Sequence, residues 1–321
     1  MLEKVKKNIF RSLAVAALLY LAFTIYADYK SVFAAFARFN WLLLPLLLML
    51  SFVNYLTRFY KWDYYLKVLK VRISKVDSFA IFMSGLIMSV TPGKMGELLK
   101  SYLVKQVTNE PISRTAPIIM VERITDFISL VLLALIGAYV FNYGRIIVIG
   151  TGIFFLLVTL VISHKRLSFY LMDIIVNIRF LKKHATRIRT AYESVYILLR
   201  PLPLTYMVGI SFFSWFLECL GYYIILFNFG IHFNILWPTF VYTFSTIAGA
   251  ITMLPGGLGV TDGSLTFLLI RNKVPKDIAV SSTFIIRAVT LWFAVLIGVI
   301  SVSFYQHRYG NISVETSINN S

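Results

Sequence analysis

Long apolar runs separated by short basic stretches set the pattern of this chain. Ile9 to Ala27, Trp41 to Thr57, Ile146 to Ser163, Leu204 to Phe229 and Ile278 to Tyr305 each approach or exceed the ~20 helical residues that cross hydrocarbon. A further run starts near Ala116 and ends near Phe141. Inside lipid every backbone N–H and C=O must be paired locally, which predicts helices for these runs. The alternation that a membrane β-barrel needs is absent. The expected fold is all-α: a polytopic membrane helix bundle, one transmembrane domain over 1–321, with about six full spans. The first run follows Lys4, Lys6, Lys7 and Arg11 in the manner of a signal peptide. No small-residue cleavage site follows it, so an uncleaved first helix is expected.

Two other apolar segments are interrupted by nearly the same turn. Phe79 to Val90 leads into Thr91-Pro92-Gly93-Lys94-Met95-Gly96-Glu97, and Ile235 to Leu254 leads into Pro255-Gly256-Gly257-Leu258-Gly259-Val260. Both turns read Pro-Gly-x-apolar-Gly. Proline lacks the donor that continues a helix, and glycine tolerates the dihedrals that end one. The piece from Phe79 to Val90 is roughly 18 Å of helix, enough to reach mid-bilayer but not to cross it. Two re-entrant hairpins are therefore expected, near 79–105 in a first half (9–163) and near 236–271 in a second half (201–305), inverted relative to each other. Two kinked full spans are the other reading. The repeat extends further, because Pro92 precedes Arg123 by 31 residues and Pro255 precedes Arg287 by 32. Matched broken segments of this kind point to a transport site near the membrane midplane.

Composition agrees with the pattern. Hydrophobic residues make up 59% of the chain and charged residues 14%, with a mean hydropathy of +0.78, which excludes a water-soluble globule. A net charge of +17 would suggest nucleic acid in a soluble protein, but the distribution of the bases explains it here. With the N-terminus cytoplasmic and each span reversing direction, 22 of the 31 Lys and Arg fall on one side. They lie in the N-terminal tail, Arg58 to Lys75, Lys100 to Arg114, His164 to Arg200, and the tail after Tyr305. That asymmetry orients a multi-pass protein of the cell membrane with its N-terminus inside. Membrane lipids are the expected partners, and nucleic acid is not.

Residues 164–200 form the connector between the halves. Leu167, Leu171, Ile174, Ile175, Ile178 and Leu181 recur at helical spacing, and Lys182, Lys183, Arg187 and Arg189 follow. The segment reads as an amphipathic cytoplasmic helix on the inner leaflet, or as a helical hairpin packed on the bundle. The single Cys219 and the scattered histidines match no metal-ligand spacing, so no cofactor is expected.

The candidate chemistry lies in charges at membrane depth: Glu97, Glu122, Arg123, Asp126, Glu218, Asp262 and Arg287. Each costs at least roughly 2.5–3.5 kcal/mol to insert, so each should face the interior and have a partner. Arg123 can meet Asp126 along one helix, and Glu97 with Arg123 and Asp262 with Arg287 are the pairs expected between helices. Such pairs could simply hold the bundle together. The sharper reading has the two arginines, one reached from each side, binding an anionic headgroup through planar guanidinium forks. The candidate headgroup site is then Pro92, Gly93, Lys94, Gly96, Glu97, Glu122, Arg123 and Asp126 from the first half. Pro255, Gly256, Gly257, Gly259, Asp262 and Arg287 come from the second.

The run Pro92-Gly93-x-x-Gly96-Glu97, then Glu122-Arg123-Ile124-Thr125-Asp126, then Pro255-Gly256-Gly257-Leu258-Gly259-Val260-Thr261-Asp262-Gly263, resembles the flippase-like transmembrane domain of lysylphosphatidylglycerol synthases. The resemblance extends from about residue 9 to residue 305. Lys100 and Asp262 stand where that family leads one to expect Arg and Glu. It implies movement of lipids between leaflets, and some members are fused to aminoacyl-lipid synthases or glycosyltransferases. No transferase domain is expected after the last span, so lysinylation of lipid is not the expected activity. A flippase or scramblase for an anionic or polyprenyl-linked lipid, without enzymatic activity, is the leading expectation. A scaffold for a lipid synthase or glycosyltransferase partner is the alternative, and a lipid headgroup enzyme is a third class. No nucleotide-binding loop is present, so movement would be passive or ion-coupled.

Overall fold

The computed structural model describes residues 28–91, 96–140, 144–163 and 185–309, preceded by Leu18, Leu21 and Ile25. Most of the first expected span, the connector before Ala185, and Pro92, Gly93 and Lys94 lie outside the described residues. All regular structure among the described residues is helical. The helices are α1 (Tyr29–Arg38), α2 (Leu44–Val68), α3 (Lys75–Gly85), α4 (Leu98–Thr108), α5 (Ile112–Val140) and α6 (Arg145–Ser163). They continue with α7 (Ala185–Leu198), α8 (Pro201–Asn228), α9 (Leu236–Ile251), α10 (Val260–Arg271), α11 (Lys276–Arg287) and α12 (Phe293–Tyr309).

Local chemistry explains several boundaries. Asn40 accepts the Leu42 N–H ahead of α2, and Pro45 sits in that helix's first turn, where a missing donor is harmless. Ser74 accepts the Asp77 N–H at 3.1 Å and starts α3. α11 and α12 form one continuous helix through a π turn at Ala288–Trp292, and the Tyr55 hydroxyl donates to the Thr290 carbonyl there at 2.6 Å. Among the described residues, Trp41–Val68, Pro201–Asn228 and Lys276–Tyr309 are long and apolar enough to cross a membrane. α5 has 29 residues but carries Arg114, Glu122, Arg123 and Asp126.

Both interrupted segments are helix–break–helix units. α3 tightens into a 3-10 stretch, Leu86–Val90, before α4, and α9 is followed by the 3-10 turn Pro255–Gly257 before α10. The two breaks meet in the interior. The long helix that follows each break packs on the broken segment of the other half: α5 on α9, and α12 on α3 and its 3-10 extension. Glycines permit both crossings. A Cβ at Gly137 would lie 2.3 Å from Phe240 Cβ, and one at Gly298 would lie 2.2 Å from the Ile87 backbone nitrogen.

Two expectations are corrected. The span from Trp41 does not end at Thr57, because α2 runs on to Val68. Arg58 and Lys61 are therefore helical residues inside the bundle, not members of a loop. Lys100 is likewise only 3% exposed, on α4. Three bases assigned above to the cytoplasmic side thus face the interior, where buried carboxylates compensate them. Of the connector, the described α7 packs on α5, with Val195, Leu198 and Leu199 in the core, while Leu167 to Leu181 lie outside the described residues.

Candidate functional site

The central charges form a network spread over α2, α4 and α5. Lys61, 2% exposed, donates to Asp126 Oδ1 at 2.7 Å, to Ser211 Oγ at 2.6 Å and to the Glu122 carbonyl at 3.2 Å. Those three acceptors match the three donors of an ammonium group, which is what a buried lysine requires. Ser211 also donates to Asp126 Oδ1 at 3.0 Å, and Arg58 donates to Asp126 Oδ2 at 2.7 Å. Arg123, one helical residue after Glu122, donates to Glu97 and lies 3.9 Å from Asp126 Oδ2. Lys100 closes the network, 2.7 Å from Glu122 and 3.5 Å from Glu97, with its ammonium 4.8 Å from the Trp62 ring centroid. Asp126 and Glu97 each have more than one cationic neighbour, and Glu122 has Lys100, which offsets their desolvation.

The second half holds a simpler arrangement. Arg287 Nε lies 2.9 Å from Asp262 Oδ1, and its Nη2 donates to the Gly256 carbonyl at 2.5 Å. Asp262 Oδ2 accepts the Gly259 N–H at 2.9 Å, so one carboxylate caps α10 and anchors the arginine. Gly256, Gly257 and Gly259 all have positive φ, at 59°, 67° and 83°, which suits glycine alone in a turn this tight. Gly96 is held by the Thr91 hydroxyl, which accepts its N–H at 3.1 Å. The inter-helix pairs expected from the sequence, Glu97 with Arg123 and Asp262 with Arg287, are both present.

A cavity of about 310 Å³ lies between the two breaks. Arg58, Arg123 and Asp126 line one side, and Gly256, Gly257 and Arg287 line the other. Glu218, which accepts the Tyr242 hydroxyl at 2.6 Å, also lines it. Phe127, Leu130, Ala250, Met253, Leu254 and Leu291 supply an apolar wall. Of the residues expected at the site, Arg123, Asp126, Gly256, Gly257 and Arg287 line this cavity. Glu97 and Glu122 stand behind Arg123 with Lys100, while Gly259 and Asp262 stand behind Arg287. Pro92, Gly93 and Lys94 fall outside the described residues. Arg123 and Arg287, the two arginines expected at the site, line the same cavity. Sequence reasoning missed Arg58, Lys61 and Lys100 as interior residues. The usable signal for Arg58 and Lys61 was the apolar residues that resume beyond them, at Trp62, Tyr64, Tyr65 and Leu66.

Comparison with known proteins places this geometry in a family. Residues 9–298 match the model described as the lysylphosphatidylglycerol synthase TM region. A UPF0104 membrane protein of Methanocaldococcus jannaschii is 27% identical over 217 residues, covering 66% of this chain and 91% of that protein. Another, from Methanothermobacter thermautotrophicus, is 24% identical over 272 residues, 76% of this chain and 80% of the relative. A third, from Pyrococcus horikoshii, is 27% identical over 270 residues, 75% and 81% respectively. With a family match over nearly its whole length and helices long enough to span, the chain is a membrane protein that belongs to the lysylphosphatidylglycerol synthase transmembrane-region family.

Proposed function

We propose that this protein is a lipid flippase or scramblase that passes an anionic or polyprenyl-linked lipid between leaflets, handling the headgroup in the cavity between the two broken segments. The observation that carries this reading is the lining of that one cavity. It joins arginines from both halves, Arg58 and Arg123 on one side and Arg287 on the other, to an apolar wall. A volume of about 310 Å³ is at the small end of ligand pockets, suited to a headgroup and not to acyl chains. The chains would lie along Phe127, Ala250, Met253 and Leu254, of which Ala250, Met253 and Leu254 are exposed.

In this reading about six helices span the bilayer, and the two broken segments are re-entrant hairpins related by an inverted repeat. The reciprocal packing of α5 on α9 and α12 on α3 supports the repeat, because a two-fold relation between halves generates such an exchange. Rocking one half against the other would open the shared cavity to alternate leaflets. The dipole at the start of α10, beside Thr261 on the cavity wall, would favour a negative headgroup. No chemical change of the lipid is part of this reading.

The test is reconstitution into liposomes with a panel of headgroup-labelled lipids. Faster transbilayer movement of an acidic or polyprenyl-linked lipid, recovered chemically intact, is the expected result. Folded protein that moves none of the panel would reject transport and leave the scaffold role. Recovery of a modified lipid would point to an enzyme.

A further inference from the structure

Arg58 is the lining cation that the apolar pattern hid. It projects from α2 beside Tyr55, lies 5.3 Å from the Trp215 ring centroid, and gives one N–H of Nη2 to Asp126 Oδ2 at 2.7 Å. Arg123 approaches the same carboxylate oxygen from α5, at 3.9 Å. Two guanidinium groups on different helices thus converge on one oxygen at the cavity wall. A guanidinium carries five N–H donors, and Arg58 is bonded among the described residues through Nη2 alone. Arg123 Nε is buried and finds no hydrogen-bond partner among the described residues. Buried donors of this kind normally have an acceptor. Asp126 itself does not depend on Arg58, since Lys61 and Ser211 hold its other oxygen at 2.7 and 3.0 Å.

We propose that Arg58 and Arg123 together seat one phosphate group of a lipid headgroup on the cavity side of Asp126. A tetrahedral oxyanion offers several oxygens to the two forks at once, and bidentate guanidinium contacts of this type are the strong ones. The Trp215 indole, itself on the cavity lining, lies within cation–π range of the Arg58 guanidinium. This deepens the transport reading and rests on its cavity, but it makes a separate claim about binding. Lys61 holds the network and does not line the cavity, while Lys100 lines a smaller adjoining pocket beside Arg58 and Arg123, where it pairs with Glu122.

The experiment is calorimetric titration of the full chain in detergent. The probes are dihexanoyl phosphatidylglycerol, inorganic phosphate, and dihexanoylglycerol, which has the chains without the phosphate. Arg58→Ala should weaken the phospholipid by roughly ten- to hundredfold, the range for losing a hydrogen bond to a charged group. Arg58→Lys should fall between the two, and Arg38→Ala, on an exposed residue that does not line the cavity, should bind like the unmodified chain. Dihexanoylglycerol binding should not respond to Arg58→Ala. Inorganic phosphate should compete, but more weakly than the lipid. Phosphate binding as tightly as the phospholipid would overturn the lipid part of the claim. Unchanged phospholipid affinity in folded Arg58→Ala would overturn the seat. Should Arg58→Ala fail to fold, unchanged affinity in Arg58→Lys would do the same. Arg58-dependent binding without lipid movement in liposomes would keep the seat and reject transport. Movement that ignores Arg58→Ala would reject the seat and keep transport.

Discussion

At the scale of single residues, the bundle separates charges that hold from charges that face the cavity. Lys61 is the clearest of the first kind, with all three donors spent on α5 and α8 and only 2% of the residue exposed. Lys61→Met should destabilise the protein by about 3 kcal/mol, because the buried Asp126 carboxylate then loses one of its two closest cations. Adding Asp126→Asn should recover part of that loss. Thermal unfolding in detergent measures both, and a Lys61→Met variant as stable as the parent would contradict the assignment. Such residues explain where sequence reading fell short. Arg123 and Arg287 were legible because each interrupts a long apolar run and repeats at nearly the same distance from a Pro-Gly turn. Arg58 and Lys61 come near the end of an apolar run, where a base ordinarily marks the membrane edge. The apolar residues that resume at Trp62, Tyr64, Tyr65 and Leu66 hint that the helix continues. Their partners on other helices, Asp126 and Ser211, which a linear pattern does not contain, show that they are interior.

At the scale of elements, the interruptions after Gly85 and after Ile251 are placed by local chemistry, and the sequence reading located both. What it could not supply was their meeting in the interior, or the exchange of long helices between halves, since neither leaves a periodic trace. The crossing of α12 over the first break depends on Gly298, where a Cβ would lie 2.2 Å from the Ile87 nitrogen. Backbone cannot step aside as a flexible side chain can. Gly298→Ala should therefore cost about 1–3 kcal/mol, the usual penalty of overpacking, and should shift the Leu86–Val90 wall of the cavity. Gly150→Ala is the matched control, since nothing lies within 4 Å of a Cβ there, and it should be neutral or slightly stabilising. Equal melting temperatures for the two variants would show that the crossing is looser than its geometry implies.

At the scale of the whole molecule, the account requires two halves inserted in opposite directions around one cavity. Cysteines introduced at Thr108, after the first broken segment, and at Asn272, after the second, should then react with impermeant reagents from opposite sides of the membrane. Labelling of both from one side would remove the inverted repeat. The central claim is that Arg123 and Arg287 read a lipid headgroup and do more than neutralise Glu97 and Asp262. Both arginines line the cavity and both are paired, so their pairing alone does not separate these roles. Removing both members of a pair does, because it leaves no uncompensated buried charge. The most direct measurement is therefore lipid movement in liposomes by Arg123→Ala/Glu97→Ala and by Arg287→Ala/Asp262→Ala, with thermal stability followed in parallel. The account predicts folded proteins that move little or no lipid, while Arg→Lys at either position retains part of the rate, since lysine keeps the charge but not the fork. Full transport by the double variants would contradict it and leave these charges as ties within the bundle.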